Sequence, residues 1–225
     1  MKISIFRGVL IVIAIIVGFL AIKYSLANLN YLKVDAYLYR WEKSEQLTQE
    51  ELSNAFIASD AMLALHGHHP HYLNMTAKLY EWQAFLNKDD RDSVDRSYQK
   101  ALILYKQSSE LRGHWPLTWG YMANIQSQLG LLDQDFYRYL DNAIVYGPYM
   151  KEVNLLVAKL FLKHWGNLPG FSAKTGLEQV KRTLHTYQGR DALLTYAHSI
   201  GKDKIVCTVG RLNKIESVIH HKFCQ

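Results

Sequence analysis

The sequence predicts an all-α protein, with one apolar amino-terminal transmembrane helix followed by an irregular array of paired helices. Three observations lead there. The run Val9 to Ile22, VLIVIAIIVGFLAI, contains no charge. Beyond it, apolar side chains recur three and four apart and the runs stop at Gly or Pro, which is the pattern of amphipathic helices. Ile205, Val206, Thr208 and Val209 are β-branched, but no second run of that kind exists to pair with them.

Taken in order, the apolar run extends through Gly8 and Tyr24 to Ala27 and approaches the roughly 20 residues that cross a bilayer. Lys23 is close enough to its end to snorkel outward. Lys2 and Arg7 precede the run, so the positive-inside rule places the amino terminus in the cytoplasm. Residues 1–29 are the expected anchor and 30–225 the expected periplasmic domain. Ser25-Leu26-Ala27 also fits a signal-peptide cleavage pattern, a reading that exports the same domain without tethering it.

Residues 29–45 carry Tyr31, Val34, Tyr37, Leu38 and Trp41 on one side and read as a helix continuing the apolar one. Thr48, followed by Glu50 and Glu51, is an N-cap signal for a helix through Leu52, Ala55, Phe56, Ser59 and Met62. His66-Gly67-His68-His69-Pro70 ends it. A third helix spans 71–87, with Leu73, Ala77, Tyr80 and Trp82 as packing residues. The charged run from Lys88 to Asp92 makes a turn before a long helix from Ser93 to Leu111.

Arg112 to Met150 reads as two helices around a break at Gly130. Pro116 suits the first turn of the first, where a missing N–H costs nothing. Trp115, Trp119, Tyr121, Ile125 and Leu129 follow its apolar flank. Phe136, Leu140, Ala143 and Ile144 line the second, and Gly147-Pro148 ends it. Two such helices cannot bury their apolar faces on each other alone and need neighbours, the logic of a repeat array. A helix over 149–165 follows, broken by Gly166, Pro169 and Gly170. Helices over Gly176–His185, Arg190–Ile200, Lys202–Val209 and Leu212–Phe223 complete the chain.

The formal net charge of +6 is unevenly spread: residues 1–33 carry +4, 34–150 carry −5 and 151–225 carry +7. An acidic middle argues against a nucleic-acid groove there. The basic last third suits anionic head groups or an acidic polymer, and serves equally as a solvated surface. Cys207 and Cys224 form an even pair, expected to be oxidised in an exported domain; two free thiols are the alternative. Zinc has little support without a C-x-x-C.

Catalytic signals are weak. Asp133 with Asp135, and Asp89, Asp90 with Asp92, lie beside turns, and Asp133 reads as the cap of the helix from Gln134. No nucleophile elbow, phosphate-binding glycine loop or cofactor motif is present. His66, His68, His69 and His71 straddle a glycine and a proline with no nearby carboxylate, and read as exposed turn residues rather than metal ligands. The Asn74-Met75-Thr76 sequon falls inside a helix. Five Trp and fifteen Tyr remain, and the four tyrosines Tyr137, Tyr139, Tyr146 and Tyr149 cannot all point inward. Exposed aromatics beside arginines suit interfaces and stack on sugar faces. Arg112, His114, Trp115, Tyr121 and Arg138 are therefore the candidate binding surface.

The spacing of Ala143 and Pro148, with Gly130 at the turn, resembles a tetratricopeptide repeat. The combination R-x-x-W-P-x-T-W, then G-x-x-D-x-x-F, then A-x-x-x-G-P is similar to the VpsP family of bacterial polysaccharide-biosynthesis proteins, and to the periplasmic helical tail of some O-antigen ligases. That resemblance implies a part in making or exporting an extracellular polysaccharide, and with the apolar anchor and the absence of catalytic signals the expected protein is a non-enzymatic, inner-membrane-anchored periplasmic scaffold. Its implied partner is a polysaccharide polymerase, ligase or export component, or the polymer itself. The other readings are a carbohydrate-modifying enzyme subunit and an assembly factor of another envelope complex.

Overall fold

The computed structural model describes residues 2–44, 46–168 and 170–225. Met1 of the expected anchor, Glu45 at the expected end of the second stretch and the expected breaker Pro169 lie outside the described residues. Those described form helices and no strand, in two compact units that meet in sequence at Gly113 and His114.

The first unit contains α1 (Lys2–Ser44), α2 (Gln49–His66), α3 (Pro70–Leu86) and α4 (Arg91–Leu111). With 43 residues, α1 is about 65 Å long at ~1.5 Å per residue. Its large apolar side chains from Val9 to Ile22 are exposed, and this helix is long and apolar enough to cross a membrane. The helix does not break at residue 29. Instead its surface changes character: Ala27, Val34, Leu38 and Trp41 are buried, at spacings of seven, four and three that keep them on one stripe. Val34, Leu38 and Trp41 pack with Leu52, Ala55 and Ala58 of α2 and with Met75 and Leu79 of α3. One continuous helix thus serves as the apolar span and as the first wall of a soluble core.

Hydrogen bonds fix the seams of this unit. Thr48 and Glu51 form a capping box at the start of α2. The Glu51 carboxylate also accepts from the Trp41 indole at 3.2 Å and from Arg40 at 2.6 Å. Ser59 and Thr76 share a buried hydrogen bond of 2.6 Å between α2 and α3. Tyr105 and Ser97 of α4 donate to Glu81 and Gln83 of α3, and Ser108 donates to the Pro70 carbonyl. Asp90 caps α4, accepting from the Ser93 amide, so the helix begins two residues before the expected Ser93.

The second unit contains α5 (Pro116–Gln128), α6 (Gln134–Tyr146), α7 (Lys151–Lys163), α8 (Gly170–Leu184), α9 (Tyr187–Ser199), α10 (Asp203–Leu212) and α11 (Glu216–Ile219). Helices α5 and α6 pair, α7 pairs with α8, and α5 stacks on α7. Ala123 and Ala143 are fully buried in the first of these pairs. Gly130 turns the chain at φ +75°, a conformation that favours glycine, and Asp133 caps α6 by accepting from the Phe136 amide at 3.0 Å. Phe161, Leu162, Val180, Leu184, Leu193, Leu194, Val206 and Val218 belong to the apolar core of the carboxyl-terminal part.

Two expectations need correction here. The helix expected to start at Gly176 starts at Gly170. Gly176 lies inside it and faces the Phe161 ring so closely that a Cβ would not fit, so the glycine marks a helix–helix contact and not a boundary. The expected helix from Leu212 to Phe223 shrinks to the single turn of α11. Lys214, at φ 54°, ends α10, and the remaining residues are held from outside the helix. Cys207 is disulfide-bonded to Cys224 with the Cα atoms 5.4 Å apart, Arg211 donates to the Cys224 carbonyl, and Phe223 stacks on His198.

Candidate interaction surface

The five residues chosen from sequence fall in both units. Arg112 is the exposed C-cap of α4 in the first. In the second, His114 and Trp115 lead into α5, Tyr121 lies on α5 and Arg138 on α6. The His114 ring meets the edge of Tyr146 at 4.9 Å. Arg138 is exposed, pairs with Asp135 at 2.8 Å and lies 5.3 Å from the Tyr139 ring. The i,i+3 pair holds the guanidinium along α6, an arrangement worth a few tenths of a kcal/mol at a surface (~0.2–0.5). Trp115 and Tyr121 are half-buried.

The tyrosines sort as their crowding requires. Tyr139 is 1% exposed and Tyr149 is 85% exposed. Val145, Tyr146 and Tyr149 form an apolar exposed strip at the α6–α7 junction. Arg182 of α8 orders this junction: it donates to the Pro148 carbonyl and lies 5.2 Å from the Tyr149 ring. Sequence offered no sign of Arg182, which is 34 residues from Pro148. At the base of the strip, Gly147 sits where a Cβ would come within 2.6 Å of Pro116, so the two punctuation residues of the α5–α6 pair touch each other.

A second cluster belongs to the first unit. His66, His69 and His71 pack as rings with Tyr24, Tyr31 and Tyr72 at centroid distances of 4.2–5.8 Å. His68 and His71 are exposed, as expected, whereas His66 and His69 are half-buried. Tyr24 of α1 packs on His66 and Tyr31 of α1 on His71, while Tyr72 of α3 packs on His69. Burial holds His69 below the ordinary imidazole pKa, and the neighbouring His66, His71 and Arg112 act in the same direction. Burial likewise lowers His71, with Asp35 opposing and Lys78 and Arg112 adding to the shift. Among the described residues no group of three or more His, Cys, Asp or Glu is arranged to hold a metal ion.

In fold, the chain is similar to the crystal structure of a thermophilic tetratricopeptide repeat protein of Thermus thermophilus. The TM-score is 0.54 at 14% identity, covering 80% of this chain and 98% of that one. No family model matches the chain, and no curated protein matches it. The protein is therefore an all-α, tetratricopeptide-like helical repeat protein whose amino-terminal helix is long and apolar enough to span a membrane.

Proposed function

We propose that the protein is a non-catalytic scaffold, anchored in the bacterial inner membrane by α1, whose helical stack lies in the periplasm. There it binds a polymerase, ligase or export component of surface-polysaccharide biosynthesis. The observation that carries this reading is the unbroken α1, exposed and apolar from Val9 to Ile22 and buried in the helical core from Ala27 onward. Such a helix confines a recognition surface to two dimensions next to membrane-bound partners. Lys2 and Arg7 before the span support the periplasmic orientation. The polysaccharide assignment rests on the resemblance of the Arg112–Met150 stretch to the VpsP family.

The candidate binding residues in this reading are Arg112 on the first unit and, on the second, His114, Trp115, Tyr121 and Arg138 with the exposed Tyr146 and Tyr149. Exposed arginines and aromatics are the composition that interface centres favour. The test is a deletion strain complemented with the wild type or with Arg112→Ala/Arg138→Ala. Polymer output and partner recovery after membrane crosslinking are expected to fall together, by tenfold or more, in the double variant. Unchanged output and recovery would remove this surface from the account. Lost output with intact partner recovery would point to the enzyme-subunit reading.

A further inference from the structure

The second unit carries an open groove of about 640 Å³ between α8 and α10. Its size falls within the range of small-ligand sites, roughly 300–1,000 Å³. Leu177, Ile205 and Val209 form the floor, and Trp165 and Leu212 stand at the walls. These walls face water: Trp165 is 39% exposed and Leu212 78%. Lys174, Lys181 and Lys204 line the same groove. The single acid among the lining residues, Glu178, is engaged by Arg182 at 3.1 Å and by Lys181 at 3.9 Å. An apolar trough with a cationic edge is the result.

The polar side chains of the lining decide what fits. The Thr208 hydroxyl donates to the Lys204 carbonyl at 2.8 Å, and the Asn213 amide donates to the Val209 carbonyl at 2.8 Å. These bonds use the one Thr208 O–H and one of the two Asn213 N–H groups. A peptide laid along Leu177, Ile205 and Val209 would bring backbone N–H and C=O groups against side chains that offer no hydrogen bond, at a cost in desolvation. An alkyl chain has no such groups to satisfy.

We infer that the groove between α8 and α10 binds a single-chain anionic amphiphile, with its alkyl chain along Leu177, Ile205, Val209 and Leu212 and its head group at Lys174, Lys181 and Lys204. A fatty carboxylate and a lysophospholipid both present this chemistry. The inference does not depend on a role in polysaccharide biosynthesis.

The test uses the full chain in phosphatidylcholine nanodiscs. Three diazirine-bearing probes are compared: a palmitate, a lysophosphatidylglycerol and a neutral palmitamide. After irradiation, labelled peptides are mapped by mass spectrometry. Label is expected on α8 and α10 from one or both anionic probes, at least fivefold above the neutral probe, and the stronger of the two identifies the head group. Competition by saturated carboxylates is expected to improve about twofold for each added CH₂ from ten to fourteen carbons, as for a chain half-buried in an open groove. Lys174→Gln/Lys181→Gln/Lys204→Gln is expected to cut anionic labelling about tenfold and leave neutral labelling unchanged. Leu212→Asp places a charge on a side chain already in water, so the fold is retained, and is expected to abolish groove labelling. Labelling confined to α1, equal labelling by the neutral probe, or labelling that survives both variants would overturn the inference.

Discussion

The two units bury their helices by different means. The first joins helix to helix through hydrogen bonds and mixed aromatic–imidazole packing, as in Ser59–Thr76, Tyr105–Glu81 and the rings of Tyr31, His69 and Tyr72. The second has such contacts too, as in Ser127–His164 and Phe136–His164, but adds a large apolar carboxyl-terminal core and one covalent link, Cys207–Cys224, that ties the last turns to α10. The difference follows from what each has to hold. In the first, the part of α1 from Ala27 to its end at Ser44 supplies an entire wall, and directional bonds set its register. In the second, α10 and α11 have ten and four residues, too short to be stable helices on their own. A cross-link replaces helix length.

The largest expected effect therefore belongs to the second unit. Cys207→Ser/Cys224→Ser removes a link across 17 residues, for which the chain-entropy account gives about 3 kcal/mol. Hydrogen exchange read peptide by peptide is expected to show lost protection in α10 and α11, with α2 and α3 unchanged. Equal loss in both would mean that the units share one stability.

Next in size is Gly147→Ala. The new methyl would lie 2.6 Å from Pro116 and 3.2 Å from the Ala143 carbonyl, forcing α5 and α6 apart. A cost of about 1–3 kcal/mol is expected from overpacking. Urea titration of this variant should move the second unit's transition alone.

The smallest effect is a pH dependence, to which His69 and His71 contribute in the first unit and His164, also lowered by burial, in the second. His69 and His71 have folded-state pKa values below that of the unfolded chain, so the unfolded state binds protons first. Above about pH 6.5 both states are neutral and nothing is lost. As pH falls below that value, stability is expected to decline until the folded-state pKa values are passed. The groups facing these imidazoles are His66, Tyr31, Tyr72, Asp35, Lys78 and Arg112. His69→Phe should flatten the decline in thermal melts between pH 7 and 5; an unchanged slope would assign it elsewhere.

Much of this architecture was legible because its signals are local. Thr48 with Glu51, Asp133 before Phe136, and Gly130 at the turn each act within a few residues, and each lies where its chemistry requires. What escaped sequence reading depends on distant partners. Gly176 resembles a breaker until Phe161 is seen against it. In the four-histidine run, His66 and His69 resemble exposed turn residues until Tyr24 of α1 is seen against the first and Tyr72 against the second. Arg182 and the groove residues Trp165, Lys181 and Lys204 come from separate segments whose convergence no spacing rule encodes.

The measurement that bears most directly on the account is membrane topology. Alkaline phosphatase, active only outside the cytoplasm, and green fluorescent protein, bright only inside it on this export route, would each be fused after Gln225. Active phosphatase with dark fluorescent protein, in the membrane fraction, is the expected result. A bright fluorescent fusion with inactive phosphatase would place the helical stack in the cytoplasm and contradict the account.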